Sequence, residues 1–406
     1  MKSLYSLFRA ALSMSITSMI IGCGSKGGGG PAPTFNPYSG NFAANVMPVV
    51  VGACGPDGYA NEPCTTLKIC AVGTSDCQTV DNILVDTGSY GLRIFSSQIK
   101  VGLKQVQDSR GNAIGECAQF GTSNTWGPVQ IADVVLSGEP AVSIPIQVID
   151  STFKTLPANC TSPDVSAQDA GYNGILGVGL LTQDCGIDCA SNSLADIYFS
   201  CDANSCTSTK LALDKQVVNP VSKLPVDNNG VILELPAVSD SGETIVHGTL
   251  TLGIGTAANN VADEKSLKVF AADSAGDFIT EFQNHIYQSS FIDSGSNGLF
   301  FPETPDLPHC SSTPLPADFY CPANLLNFTA VQQGATGTTR AQVNFGVANA
   351  KFLLNSFGPV VGAFNNLGGT QTGAFDWGLP FFFGRKVYVA IEAKKTNLGP
   401  GPYWAW

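Results

Sequence analysis

Two short segments each pair a carboxylate with groups that could control its proton. Asp86-Thr87-Gly88-Ser89-Tyr90-Gly91-Leu92 and Asp293-Ser294-Gly295-Ser296-Asn297-Gly298-Leu299 agree at five of seven positions and stand about half the chain apart. Each Asp ends an apolar run, Ile83-Leu84-Val85 or Phe291-Ile292, so its carboxylate is poorly solvated and needs donors. Gly88 and Gly295 permit a tight turn that aims backbone N–H groups back at the carboxylate. Ser89 and Ser296 add a hydroxyl donor each. If the two segments face one another, the carboxylates cannot both ionise cheaply and share one proton. One then acts as acid while the other acts as base on a water held between them, which is the chemistry of peptide hydrolysis without a metal or a side-chain nucleophile. The carboxyl groups of Asp86 and Asp293 are then expected within hydrogen-bonding range, about 3 Å.

The elements around these segments read as strands. The chain has 406 residues with 44 Gly and 24 Pro, a content suited to strands and turns. Charged residues make up 13% and hydrophobic ones 44%, the reverse of a disordered chain. Short apolar runs at Val49–Val51, Ile83–Val85, Val129–Leu136, Val142–Ile149, Val231–Leu235, Thr249–Leu252, Phe291–Ile292 and Val387–Ile391 carry the period of half-buried strands. Helical spacing is scarce, with a turn or two expected over Ser193–Tyr198. The fold class is therefore mostly β. A fainter repeat follows each Asp segment: Gly174-Ile175-Leu176-Gly177 after the first, Phe375-Asp376-Trp377-Gly378 after the second. Two lobes built on one plan account for both repeats.

VDTGSYGL and IDSGSNGL resemble the two active-site motifs of pepsin-like aspartic proteases. Cys70–Thr74 with Val80–Val85 is similar to the hairpin leading to the first Asp in that family. Phe120-Gly121-Thr122 with Val129–Leu136 is similar to the flap hairpin that closes over substrate. Gly174–Gly179 resembles the element bracing the first active-site loop, His247–Leu250 a strand at the lobe crossing, and Trp377–Ile391 the closing element and last strand. The likeness runs from about Val49 to Glu392, and the whole set also resembles a group of bacterial lipoproteins of this layout. It implies a bilobal, double-barrel fold with an interlobe cleft. It also implies that Asp86 and Asp293 are the catalytic pair, and that Thr87 and Ser294 cross-brace the two loops. Ser89 and Ser296 would bond the outer carboxylate oxygens, Gly177 and Gly378 would brace the loops, and Phe120, Gly121 and Thr122 would offer the flap to an extended peptide. Two positions depart from the family: Phe120 stands where Tyr is usual, and Arg93 where its Trp partner is usual. The sequence leaves open whether Trp126 takes that Trp's place. No long basic segment separates Cys23 from the body, so activation by removal of such a segment is not expected.

The first residues read as an address. Lys2 and Arg9 precede an apolar run over Ala10–Ile21, too short to span a bilayer and fitting a secretory leader. It ends in Ile20-Ile21-Gly22-Cys23, which resembles the bacterial lipobox and implies a lipid on Cys23. Gly24, rather than Asp, favours the outer membrane. The expected organisation is a leader over 1–23, a Gly/Pro-rich tether over 24–45, an N-terminal lobe over 46–215 and a C-terminal lobe over 216–406. The expected location is the bacterial envelope, with the protein held to the membrane at Cys23, monomeric, and acting on a peptide or unfolded protein.

Apart from Cys23, twelve cysteines remain, an even number that reads as disulfides in an exported chain. Cys70/Cys77 and Cys310/Cys321 suit hairpin staples; Cys185, Cys189, Cys201 and Cys206 read as disulfides in preference to a zinc site. Segments Asp184–Thr209 and Pro302–Pro322 read as irregular surface insertions. The net charge of −12 argues against nucleic acid as a partner. No G-x-S-x-G elbow accompanies the three histidines, so a Ser/His/Asp triad is not expected. Gly253-Ile254-Gly255 lacks the further Gly of a phosphate loop and reads as a strand-end turn, so no cofactor is expected. Asp227-Asn228-Asn229-Gly230 lacks the closing Glu of a calcium loop and reads as a hairpin turn, and no metal is expected. Phe381-Phe382-Phe383 reads as inter-lobe core; Tyr403–Trp406 fits either an exposed tail or a last packed strand. Phe120 and Arg93 also support a second function, in which the cleft binds a peptide or envelope partner without cleaving it.

Overall fold

A computed structural model describes residues 42–52, 54–55, 58–121, 123–310, 318–357 and 362–406. The leader, most of the tether, Cys23 and Thr122 lie outside the described residues. Among those described, strands dominate, and the helices are a few short turns. The cause is visible in runs such as Val142–Ile149, where β-branched residues fill a pleated and almost wholly buried strand.

Both halves repeat one pairing scheme. In the first, strand Pro63–Cys70 runs antiparallel to Cys77–Asp86, and strand Gly174–Val178 lies between Cys77–Asp86 and Tyr90–Phe95. It is parallel to the former and antiparallel to the latter. In the second, Phe278–Phe282 runs antiparallel to His285–Ile292, and Phe375–Trp377 lies between His285–Ile292 and Leu299–Phe301 with the same two senses. A parallel neighbour completes each set, Val142–Ile149 beside Tyr90–Phe95 and Gly368–Thr370 beside Leu299–Phe301.

The halves are joined by backbone. Strand Val46–Val51 pairs with Val246–Leu252, followed in the same sheet by Gly230–Leu235, Arg385–Ala390, Tyr403–Ala405 and Val269–Ala271. That sheet crosses the 215/216 boundary expected between lobes. One apolar core runs through both halves, from Met47 and Val49 to Phe381, Phe382, Phe383 and Trp404. Tyr403–Ala405 is thus a packed strand, which settles the alternative left open by the sequence.

Six disulfides use all twelve described cysteines: Cys54–Cys64, Cys70–Cys77, Cys117–Cys160, Cys185–Cys189, Cys201–Cys206 and Cys310–Cys321. Four local expectations need correction. Ser193–Tyr198 is not helical; the short helix is Ile187–Ser191, and Tyr198 opens strand Tyr198–Cys201. Asp184–Thr209 is not a loose insertion, because that strand pairs with Ala113–Gln119 and carries the fully buried Tyr198 into the core. Asp227–Gly230 does not close a hairpin. A 3-10 turn, Pro220–Lys223, precedes it, and the Asn229 side chain ties the start of Gly230–Leu235 to Ile254 and Lys395. Pro302–Pro322 is not all surface either, since Leu307 and Tyr320 are core residues.

Candidate active site

Asp86 closes strand Cys77–Asp86, and Asp293 directly follows His285–Ile292. A turn reverses each chain at once, and the turn's first groups bond the carboxylate. Asp86 Oδ1 accepts from the Gly88 N–H (2.8 Å) and Oδ2 from the Ser89 hydroxyl. Asp293 Oδ1 accepts from the Gly295 N–H (2.7 Å) and Oδ2 from the Ser296 hydroxyl (2.8 Å). The two donor sets are the same, residue for residue.

The turns meet face to face. Thr87 Oγ1 donates to the Ile292 carbonyl (2.9 Å) and accepts from the Ser294 N–H (2.9 Å). Ser294 Oγ donates to the Val85 carbonyl (2.7 Å) and accepts from the Thr87 N–H (3.1 Å). These four bonds are buried and cross from one half to the other, so Thr87 and Ser294 fix the separation of the two aspartates. Gly88 and Gly295 lie on the opposite carboxylates: a Cβ on Gly88 would sit 2.5 Å from Asp293 Cγ, and one on Gly295 2.8 Å from Asp86 Cγ. Only glycine allows this approach. Gly177 and Gly378 press under the same turns, where a Cβ would strike the Ser89–Tyr90 backbone or the Gly298 and Ser296 carbonyls.

The Asp86 and Asp293 side chains are hydrogen-bonded to each other. Burial first, and the Asp293 charge second, push the Asp86 carboxyl well above the usual carboxylate range, which favours its protonated form. Asp86 is 5% exposed, while Asp293 is only half-buried and Gly88 is exposed, so the pair opens to solvent on that side.

Phe120, like Tyr59, packs against a buried cluster of Leu84, Phe95, Ile149, Tyr172 and Ile175. It sits at the tip of the hairpin formed by Ala113–Gln119 and Asn124–Val135, its N–H bonded to the Ser123 carbonyl (2.8 Å), with Gly121 open to space beside it. Trp126 does not stand in for the missing aromatic partner of Phe120. It points to the other side of the hairpin, against Phe153 and Phe199, and its indole N–H donates to the Phe153 carbonyl (2.7 Å). The neighbour of Phe120 is instead the Arg93 guanidinium, 5.6 Å from the ring centre.

Arg93 is itself 2% exposed and bound. Its Nη2 donates to Glu116 Oε1 (2.6 Å) and Asp184 Oδ2 (3.0 Å), and its Nη1 to the Tyr90 carbonyl (2.8 Å). Burial opposes its charge, but the two carboxylates outweigh that and hold the proton more firmly than usual. Asp184 also accepts from the Tyr198 hydroxyl (2.5 Å). Tyr59 and Tyr172 lie within the electrostatic reach of Asp86, and burial first raises both phenols. Glu62, next to Tyr59, is buried and pushed up to about 8 by that burial.

The sequence pointed to the aspartates and their turn residues but not to Glu116, Asp184, Tyr59, Glu62, Tyr172 or Asp376. The last had a signal. In register, Asp376 stands opposite Phe291 as Ile175 stands opposite Leu84, so overlaying the two bracing elements exposes a carboxyl where the first copy is aliphatic. Among the described residues, no group of three or more His, Cys, Asp or Glu is placed to hold a metal ion, and no helix is long and apolar enough to cross a membrane.

No curated protein matches this chain. Residues 41–406 match the family described as "Protein of unknown function (DUF3443)", and the chain belongs to that family.

Proposed function

We propose that the protein is an aspartic endopeptidase of pepsin-like, two-lobed architecture. The observation that carries this reading is the hydrogen bond between two carboxyl groups that have identical donor sets and come from matching turns of the two halves. Asp86, the more buried partner, keeps the shared proton; Asp293, the more open one, is the base. A water between them gives a proton to Asp293 while its oxygen bonds to the peptide carbonyl carbon. The carbonyl oxygen takes the proton of Asp86, giving a neutral diol. In the second step Asp86 takes a diol proton, the C–N bond breaks, and Asp293 returns its proton to the leaving nitrogen. Phe120 and Gly121 at the hairpin tip cover the extended substrate chain.

Asp86→Asn and Asp293→Asn are each expected to abolish cleavage of an unfolded protein at acidic pH, with the melting temperature retained. Full activity in either variant overturns the reading. Activity should require the shared proton, so it falls as pH rises and the pair ionises fully.

Six disulfides suit an oxidising compartment. We place the protein in the bacterial envelope, anchored by lipid at Cys23; incorporation of labelled palmitate, lost in Cys23→Ala, tests this. Phe120, which lacks a hydroxyl at the hairpin tip, favours a second reading in which the cleft holds a peptide without cutting it. A peptidomimetic with a hydroxyl in place of the scissile carbonyl separates the two: an active pair binds it far better than the parent peptide, a silent cleft binds both alike.

A further inference from the structure

In the C-terminal half, three residues stand in a row across adjacent strands. Phe291 of His285–Ile292 and Phe300 of Leu299–Phe301 flank Asp376 of Phe375–Trp377 in register. Directly opposed residues share a face of a sheet. The alternate residues Ile292, Leu299, Phe375 and Trp377 fill the core, so the row faces the other way. That is the side of the aspartate pair: the Asp293 N–H donates to the Trp377 carbonyl (3.1 Å) and the Leu379 N–H to the Ser296 carbonyl (2.8 Å), so the aspartate turn lies on this element, and the charges of Asp293 and Asp86 both act on Asp376. Phe291 and Phe300 are half-buried, and Phe300 also packs on Phe319.

Asp376 is 3% exposed, and its Oδ1 has no hydrogen-bond partner. A buried acceptor left without a donor costs about 1–3 kcal/mol. Burial first, and Asp293 second, push this carboxyl well above the usual range, so its charged form lacks a stabilising partner. The equivalent row of the other half carries no such group: Leu84 and Ile175 are aliphatic, and Arg93 is already neutralised by Glu116 and Asp184.

We propose that Asp376, walled by Phe291 and Phe300, is the floor of a subsite that takes the cationic side chain of a bound peptide, lysine or arginine, next to the bond cut at Asp293. The ammonium or guanidinium donates to the free Oδ1, and the alkyl stem lies along the two rings, whose faces attract a cation. An apolar side chain of equal length leaves the acceptor unpaired, and an acidic one meets three carboxyl groups. The aromatic rims and the unpaired floor thus select in the same direction.

This inference rests on the peptide-cleft reading above, and the experiment separates the two. Short extended peptides carrying one lysine, norleucine or glutamate, stepped along the sequence, are titrated by fluorescence anisotropy against Asp86→Asn protein. At one step lysine is expected to bind at least about tenfold more tightly than norleucine, and glutamate more weakly than either. The preference should vanish when Asp376→Ile, which copies Ile175, is added. Asp376→Asn, nearly the same shape, provides the test if the isoleucine variant does not fold. Lack of a lysine preference at every step, or its survival in the Asp376 variants, overturns the proposal. Cleavage by the unmodified protein is followed on the same peptides: lysine-selective binding without cleavage overturns the peptidase reading alone, and cleavage indifferent to lysine overturns the subsite alone.

Discussion

The two halves solve the problem of a buried charge in opposite ways. The row Leu84–Ile175–Arg93 ends in a cation enclosed by two carboxylates, while the row Phe291–Asp376–Phe300 centres on a carboxyl whose buried Oδ1 has no partner. Their aspartate turns, by contrast, are the same down to individual donors. The two halves share the donors around their aspartates and differ in what lies behind them. The first side is a closed ionic lock; the second is a buried carboxyl without a counter-charge.

The largest effect is expected from breaking the lock. Arg93→Met strands Glu116 and Asp184 without a cation, and should lower stability by about 3–5 kcal/mol in urea denaturation. Asp376→Asn, which strands nothing, should leave stability unchanged or raised. Equal losses in both would erase the contrast between paired and unpaired charge. The shared part of the plan is tested next. Gly88→Ala and Gly295→Ala each push a methyl group onto the opposite carboxyl, and each should cut kcat/KM for a peptide at least about a hundredfold. A loss from one alone would show that the halves are not equivalent at the pair.

A pH effect follows. Glu62 sits at about 8 in the folded chain against an ordinary 4.5, and one of its oxygens has no partner. Between those values the folded form keeps a proton that the unfolded form has lost, so stability is greatest at the acid end and falls as pH rises through the window. Asp86 and Asp376 act in the same direction. Glu62→Gln should flatten the slope of melting temperature against pH, with a gain on the order of a few kcal/mol near pH 8. The smallest effects are expected at the cross-brace: Thr87→Ala and Ser294→Ala should each cost about 1–3 kcal/mol, and similar amounts, because each removes buried bonds of the same type.

Much of this was legible in the chain itself, for physical reasons. Strands such as Val142–Ile149 announce themselves because β-branched residues recur at the period of a pleat. The aspartate turns could be found because glycine and serine must stand at fixed steps from the carboxylate they bond. Cys70–Cys77 and Cys310–Cys321 were readable because hairpin neighbours meet locally. What escaped depends on distant partners. Arg93 draws Glu116 from one segment and Asp184 from another, and no local pattern links them. Cys117–Cys160 spans 43 residues, beyond the reach of spacing arguments. The end of Ser193–Tyr198 depends on a distant partner too, since Tyr198 opens a strand paired with Glu116 of Ala113–Gln119.

The sheet that unites the halves has one more effect, on timing. Its strands come from the opening, the middle and the last stretch of the described chain, Val46–Val51, Val246–Leu252 and Tyr403–Ala405. Such distant pairings close slowly and late. The aspartate pair, drawn from both halves, is therefore not assembled piecemeal on a growing polypeptide, and whatever chemistry it supports waits until the closing strand is in place.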